Sequence, residues 1–438
     1  MRIKQLQLTH FRGFEGEVTL DFEQDLTVLV GVNGSGKSSV IDALKFSLRW
    51  YIAKLFHVDN QVEGFRYSDI SLTAEKGGVT AILDKEATEE AEKLEFLIRG
   101  EDTEIHLASL IFWDKIAQKY LAFLRKNPRD HNLQVIISFS AGRRLAGTEN
   151  SPQENKDFII PQAQAYEGSL GNNFRFDFFL NWFIDQTNLE NQLKIERKDF
   201  EAVNPKLQVV RNALTHFLQS FPYANFSNLR TGESPFSALR TKKQTFLIDK
   251  NGKTLELNQL SDGEKGALLM VFNIAYRLAI ANPASENPLH GTGVVLIDEI
   301  DLHLHPSWQK AMIHCLRSTF PNIQFIVTTH SPLIISQVKP RQIRILHDGL
   351  ISHMDEFVGP FNSYGAELEE ILDLVQGLDQ ILPDDLAEKF QQFFKLIEAD
   401  KIKEASALKR ELEQLTDPSH PEILKGQSIM DLKKLGIR

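Results

Sequence analysis

The stretch Gly31-Val32-Asn33-Gly34-Ser35-Gly36-Lys37-Ser38-Ser39 places a glycine, four residues, then Gly-Lys-Ser, the spacing of a phosphate-binding loop. Its flanks fit. The apolar run Leu26 to Val30 leads in as a buried strand, and Val40, Ile41, Ala43 and Leu44 lead out at helical spacing. In a strand, turn and helix of this kind, Gly34 and Gly36 let backbone N–H groups curl around phosphates, and the N-terminus of the helix adds its partial positive charge. Lys37 supplies a full charge for the β and γ phosphates, and the Ser38 hydroxyl a ligand for Mg²⁺. Asn33, Gly34, Ser35, Gly36, Lys37, Ser38 and Ser39 are therefore the expected contacts for ATP, with Mg²⁺ as its companion ion.

Composition bounds what surrounds the loop. A chain of 438 residues, 42% hydrophobic and 25% charged, is that of a globular protein of two or three domains. No apolar run approaches the roughly 18 residues of a membrane span, and the opening MRIKQLQLTHF alternates like a strand, so no membrane association and a cytoplasmic location are expected. The single cysteine, Cys315, excludes an intramolecular disulfide and a cysteine-based zinc site. A net charge of -10 does not advertise nonspecific nucleic-acid binding, although a local basic patch is compatible with it.

Ahead of the loop, Ile3, Leu6 and Leu8, then Val18, Leu20 and Phe22, alternate as two strands joined through FRGFEGE. The pair is expected as a hairpin beside the phosphate-loop strand. Arg12, at its tip, has the reach to stack on a base or meet a phosphate, or is simply a solvated turn arginine. After the helix of residues 38 to 56, strands are expected at Val79 to Leu83 and Leu94 to Ile98, with the acidic run KEATEEAEK between them. A helix is expected from Asp114 to Lys126. Leu133 to Phe139 reads as a buried strand delivering Ser140 to Arg144 at its carboxyl end, where an α/β sheet gathers ligand contacts.

Residues 145–172 read as a long polar loop, and Phe174 to Gln186 and Pro205 to Phe221 as helices. Together they suggest a helical insertion over 145–240. Its aromatic stripe is open to two readings, base stacking or core. TFLID and TLEL flank Asn251-Gly252 as a hairpin and run into LSDGEKG, Leu260 to Gly266, at the start of an apolar helix. In GVVLIDEIDLHLHP a buried strand ends on Asp298 and Glu299, the two acidic roles that triphosphate hydrolysis needs. Asp298 is expected in the Mg²⁺ shell, and Glu299 as the group that orients and polarises the attacking water. His303 and His305, with no cysteine partner, are weak evidence for a zinc site. His330, in TTHSP after another strand, is expected near the γ phosphate.

Taken together, the phosphate loop, LSDGEKG, VVLIDE and His330 resemble the ATPase heads of the ABC superfamily, in the branch of SMC, RecF and OLD-type proteins, over roughly residues 1–355. The fold class this implies is α/β, an ABC-type P-loop head of mixed sheet with flanking helices, a helical insertion and a helical C-terminal tail. Two such heads sandwich two ATP molecules, so the resemblance implies a homodimer or higher even-numbered oligomer in which Ser261, Gly263 and Glu264 contact nucleotide held by the other subunit. FRGF, DEIDLHLHPSWQ, FPNIQFIVTTHSP, SYGAELEEIL and DPSHPEILK further resemble the stand-alone ATPases of anti-phage modules, the Septu-type PtuA family with its retron-associated members. The partner that family implies is an HNH endonuclease. No glutamine-loop residue is evident near Leu133 to Arg144.

This divides the chain into 1–144 and 241–355 as two parts of the head, 145–240 as the insertion, and 356–438 as a helical accessory or partner-docking region. Helices are expected there at Glu367 to Leu378, Asp384 to Ile397 and Lys401 to Leu415. Nothing in the tail resembles a nuclease, so any cleavage of nucleic acid is expected from a partner. The function expected is an ATP-hydrolysing switch in a defence complex. The alternative is a RecF-like or SMC-like DNA-repair ATPase, for which a heptad coiled coil or basic groove would be needed. A transporter motor is disfavoured by the long tail and the FRGF strand pair.

Overall fold

The computed structural model describes residues 2–56, 65–84, 92–99, 102–105, 121–122, 124–126, 131–141, 160–171, 176–219, 221, 225–234, 244–377 and 382–434. Arg143, Arg144, most of the acidic run after Asp84 and most of the expected helix at 114–126 lie outside them. The fold is α/β, with sheets flanked by helices and a phosphate loop between the strand Leu26–Val30 and the helix that follows it.

Three sheets build the first compact unit, Met1–Ile371. An antiparallel sheet contains β1 (Arg2–Thr9), β2 (Glu17–Asp21), β4 (Lys76–Asp84), β5 (Glu92–Arg99) and β6 (Asp102–Ile105), in the order β2-β1-β4-β5-β6. The second sheet contains β3 (Leu26–Val30), β7 (Val135–Phe139), β11 (Gly293–Ile297), β12 (Ile323–Thr328), β13 (Ile343–His347) and β14 (Leu350–His353), in the order β14-β13-β3-β12-β11-β7. All its pairings are parallel except β13 with β14. A small third sheet, β10-β9-β8, joins β8 (Phe226–Glu233), β9 (Gln244–Lys250) and β10 (Lys253–Glu256).

The division follows from side-chain patterning. β3, β7, β11 and β12 are buried at every position, as continuous apolar strands covered on both faces must be. β2 alternates exposed and buried residues, which suits an antiparallel sheet with one wet face. This corrects one expectation, because the β1–β2 hairpin does not lie beside the phosphate-loop strand. The neighbours of β3 are β13 and β12, and β1 pairs with β2 and β4.

A buried amide ties the two large sheets together. β1 has a register irregularity between Ile3 and Gln5, and although Ile3 pairs with Leu83 of β4, the pairing of β1 with β2 begins only at Gln5. The Gln324 side chain, fully buried, accepts from Ile3 N–H at 2.8 Å and donates at 2.8 Å to the carbonyls of Ile3 and Glu23. Gln324→Leu keeps the volume and strands these groups, each at about 1–3 kcal/mol. Chemical denaturation of this variant should show a loss of about 3 kcal/mol or more. A loss under about 1 kcal/mol would mean that water replaces the amide at no penalty.

Helices cover the sheets. The phosphate-loop helix α1 spans Lys37–Phe56. α2 (Phe176–Arg197) and α3 (Pro205–Gln219) form the insertion, and α4 (Asp262–Ala281) and α5 (Pro306–Thr319) follow the signature and the acidic strand. The aromatic stripe of α2 is core. Phe179 stacks on Phe246 and Phe272 with ring centroids 5.5 and 5.2 Å apart, and Phe183 meets Phe246 edge-on at 5.0 Å. Two features differ from the expected loop and insertion. Residues 161–166 form a packed 3₁₀ turn, in which the Tyr166 hydroxyl donates to the Gln134 carbonyl at 2.6 Å. β8, within the stretch expected to be helical, pairs with β9. Polar composition hides both, since the anchors Ile160, Ala163, Tyr166 and Leu170 are spaced irregularly.

The first unit includes β13, β14 and a short helix at Met354–Val358, so the compact units part at Ile371 and Leu372 while the tail read from sequence begins at 356. Helix α6 (Leu368–Gln376) spans that boundary. The second unit packs α7 (Asp384–Glu398), α8 (Ile402–Leu415) and α9 (Pro421–Lys434) around Phe390, Phe393, Ile397, Ala405, Leu412, Ile423 and Met430.

Candidate nucleotide-binding and hydrolysis site

The phosphate loop, the two acids and His330 follow three adjacent parallel strands. β12 lies between β3 and β11 and pairs Val327 with both Val28 and Ile297, so the strands end at nearly one level. The loop after β3, Asp298 and Glu299 after β11, and His330 after β12 thus emerge at one edge. Open parallel sheets carry their ligands at the carboxyl ends of their strands.

The loop is shaped by its glycines. Gly34 and Gly36 have φ of 83° and 99°, the left-handed region that a side chain disfavours. A Cβ on Gly36 would sit 2.6 Å from the Phe14 ring, so the FRGF segment packs directly under the loop. Lys37 is only 6% exposed, and its Nζ donates to the Gly31 and Val32 carbonyls at 2.8 and 2.9 Å. Burial lowers its pKa from the usual lysine value, while Asp298, Glu299 and Asp301 pull the other way. The Ser35 hydroxyl is buried with no hydrogen-bond partner among the described residues. A cradle of N–H groups, a held cation and an orphan hydroxyl fit a polyphosphate.

Asp298 is positioned from two sides. Ser38 Oγ donates to Asp298 Oδ2 at 3.0 Å and lies 3.4 Å from Oδ1, and Thr328 Oγ1 donates to Oδ1 at 2.6 Å. A hydroxyl and a carboxylate set together in this way form an oxygen pair suited to a hard divalent cation. Glu299 has φ of 50°, and its N–H donates to Thr328 Oγ1 at 2.7 Å. Asp301 accepts from Thr329 Oγ1 at 2.5 Å. Burial, and then Lys37, lower the pKa of His330 against the opposing pull of Asp301, Glu299 and Asp298, so its imidazole favours the neutral form. Sequence spacing finds these acids and the histidine but misses Thr328, whose only signal is its place in TTHSP.

The signature residues sit apart, at the N-terminus of α4. Ser261 caps it, accepting from Glu264 N–H at 3.3 Å, while the Glu264 carboxylate accepts from Ser261 N–H at 3.1 Å. Lys250, from the β9–β10 hairpin, holds Glu264 at 2.6 Å. Gly263 is buried, and a Cβ there would lie 2.2 Å from the His303 carbonyl. The glycine thus has a packing reason within its own chain, and through it α4 rests on the turn that follows the acids. Arg12 is held by two carboxylates, Asp42 on α1 at 2.7 Å and Asp69 at 2.9 Å. His305 caps α5, its Nδ1 accepting from Ser307 N–H at 3.3 Å.

Comparison with known proteins finds similarity over most of the chain. The profile of a family described as an AAA domain, putative AbiEii toxin, type IV TA system, covers residues 26–336, and the P-loop containing region of an AAA domain matches residues 3–48. A retron Ec83 probable ATPase of Escherichia coli is 30% identical over 93% of this chain and 82% of its own length. A retron Vc95 probable ATPase of Vibrio cholerae is 26% identical over 86% of this chain and 79% of its own. The Septu protein PtuA of Bacillus thuringiensis is 24% identical over 96% and 95%. Matched by this profile over residues 26–336 and similar to the retron ATPases over most of its length, the chain belongs to this AAA-domain family of P-loop ATPases.

Proposed function

We propose that this protein is the ATP-binding and hydrolysing switch subunit of an anti-phage defence complex, acting as a dimer and controlling a separate HNH-type nuclease. The observation that carries the enzymatic part is the convergence of Lys37, Ser38, Asp298, Glu299 and His330 at one sheet edge. The defence setting rests on the similarity to retron and Septu proteins.

Asn33 to Ser39 bind the triphosphate, Lys37 exchanging its two carbonyl partners for β and γ phosphate oxygens. Ser38 and Asp298 would hold Mg²⁺, which when bound would neutralise phosphate charge. Glu299 orients a water for in-line attack and takes its proton. His330, neutral and beside the acids, donates a hydrogen bond to the γ phosphate. Arg12, tied to α1 through Asp42, orders the loop that faces the nucleotide. The helical unit from Leu372 to Arg438, with a core of its own, is the proposed docking region for the nuclease. Co-expression with the product of a neighbouring gene tests the assignment. The complex should form with the full chain and be lost from a chain ending at Gly377 that still binds ATP. An ATPase that forms no complex and gives no ATP-dependent change in nuclease activity would overturn it.

Ser261, Gly263 and Glu264 act in trans under this reading. Ser261 is exposed, whereas Gly263 packs on its own chain, so Ser261→Arg blocks the face with less damage to the fold, losing one helix cap worth about 1 kcal/mol. A mixture of Lys37→Ala and Ser261→Arg chains should recover part of the ATPase rate that each lacks alone. Heterodimers that form without recovery would exclude sharing of the site.

A further inference from the structure

Thr328, the last residue of β12, is fully buried, and its one hydroxyl lies between the two acids of the site. A hydroxyl has one proton to give and two lone pairs to offer. Here the proton is committed to Asp298 Oδ1 at 2.6 Å, and a lone pair receives the main-chain N–H of Glu299 at 2.7 Å. The Thr328 carbonyl also accepts from Ile300 N–H at 3.0 Å. One residue therefore grips the chain on both sides of Glu299.

Two consequences follow for the acids. The first concerns the carboxylate of Asp298, where engagement of Oδ1 turns Oδ2 toward Ser38. The second concerns the backbone. Glu299 has φ of 50°, and a left-handed conformation at a residue with a side chain costs about 1–3 kcal/mol and persists only where its surroundings hold it. The bonds from Glu299 N–H and Ile300 N–H to Thr328 are such a hold.

We propose that Thr328 is the positioning residue of the hydrolytic site, a hydroxyl relay that fixes the metal-side carboxylate of Asp298 and the backbone from which Glu299 projects. The proposal rests on the reading of those two residues as the acids of an ATP-hydrolysing site. It names a role for Thr328 that a buried threonine satisfied for packing alone would not have. Loss of the relay should disturb both acids together, whatever the occupancy of the phosphate loop.

The test is a hydroxyl deletion in two steric backgrounds. Thr328→Val removes the hydroxyl and keeps the volume, while Thr328→Ser and Thr328→Ala differ from each other by the hydroxyl alone. Steady-state ATPase is measured across a Mg²⁺ titration, with metal-free binding of a labelled ATP analogue and thermal denaturation as controls. In Thr328→Val, kcat should fall by about 10- to 100-fold, the loss that displacement of a catalytic group brings. The Mg²⁺ activation midpoint should rise several-fold, and metal-free nucleotide binding should stay at the parent level. Thr328→Ser should stay within about threefold of the parent and Thr328→Ala should follow the valine variant, which keeps the comparison valid if valine does not fold. Equal activity of the serine and alanine variants, or a parent-like kcat and Mg²⁺ midpoint in Thr328→Val, overturns the proposal. Glu299→Gln serves as the reference. If it too hydrolyses ATP at the parent rate, the underlying site reading fails instead.

Discussion

Glu299→Gln should bind ATP as the parent does and turn it over about 10² to 10⁴ times more slowly, the contribution of a positioned acid or base. The substitution keeps the size and hydrogen bonding of the side chain and discards only its basicity. Backbone strain sharpens the expectation. The φ of 50° at Glu299 is held by main-chain bonds to Thr328, which the substitution leaves alone, so glutamine should occupy the same place. An effect on turnover without one on binding is the mark of a group needed only in the transition state. The nucleotide-bound form should also accumulate, and sizing in the presence of ATP should show a longer-lived dimer. Parent-rate hydrolysis would pass the role of base to Asp301 or His330. Slow hydrolysis without ATP-stabilised association would keep the active site and remove the ATP sandwich from the proposed function.

Asp298 separates from Glu299 by the same reasoning. Its carboxylate is shared between Ser38 and Thr328, which under the proposed function puts it on the metal side of the site. Its loss should appear in Mg²⁺-dependent binding before it appears in turnover.

Legibility from sequence followed the range of the interactions concerned. The phosphate loop could be read because its chemistry is local. Left-handed glycines, a lysine and a serine within one turn declare themselves by spacing. Asp298, Glu299 and His330 could be read because each ends a short run of buried apolar residues. What joins them could not be read. The pairing of β3 with β13 and β12, and the transfer of the β1–β2 hairpin to another sheet, depend on which strands share covered faces, and a single strand carries little of that information. β14 and β8 have few fully buried positions, so their periodicity is faint. Arg12 shows the same limit for a side chain. Its position in FRGF says that it is at a turn, and only the fold brings Asp42 and Asp69 to it from 30 and 57 residues away. Gly263 likewise belongs to a recognisable signature, but its contact with the His303 carbonyl crosses between elements. Thr328 is the extreme case, because its proposed role lies entirely in three long-range hydrogen bonds.

Lys37→Ala should abolish measurable ATP binding while leaving the fold intact. Lys37 is 6% exposed, its ammonium is held at 2.8 and 2.9 Å by the Gly31 and Val32 carbonyls, and burial lowers its pKa although Asp298, Glu299 and Asp301 oppose that shift. It therefore stands desolvated and aimed, which makes an added anion attractive to it. A hydrogen bond from a charged donor contributes about 1.5–3 kcal/mol, so losing contacts to both the β and γ phosphates should weaken binding by about 10²-fold or more. The apo protein loses less. Of its two carbonyl acceptors, that of Val32 lies in an exposed stretch where water can replace the ammonium, and only that of Gly31 is buried. Equilibrium binding of labelled ATP, beside thermal denaturation of the apo protein, separates the two effects. Parent affinity would show that the triphosphate is held elsewhere, and the assignments of Ser38, Asp298 and Glu299 would fall with it. Lost affinity together with a collapsed melting transition would instead make Lys37 a structural clasp of the loop, and Lys37→Met, which keeps the stem and discards the charge, would then decide between charge and packing.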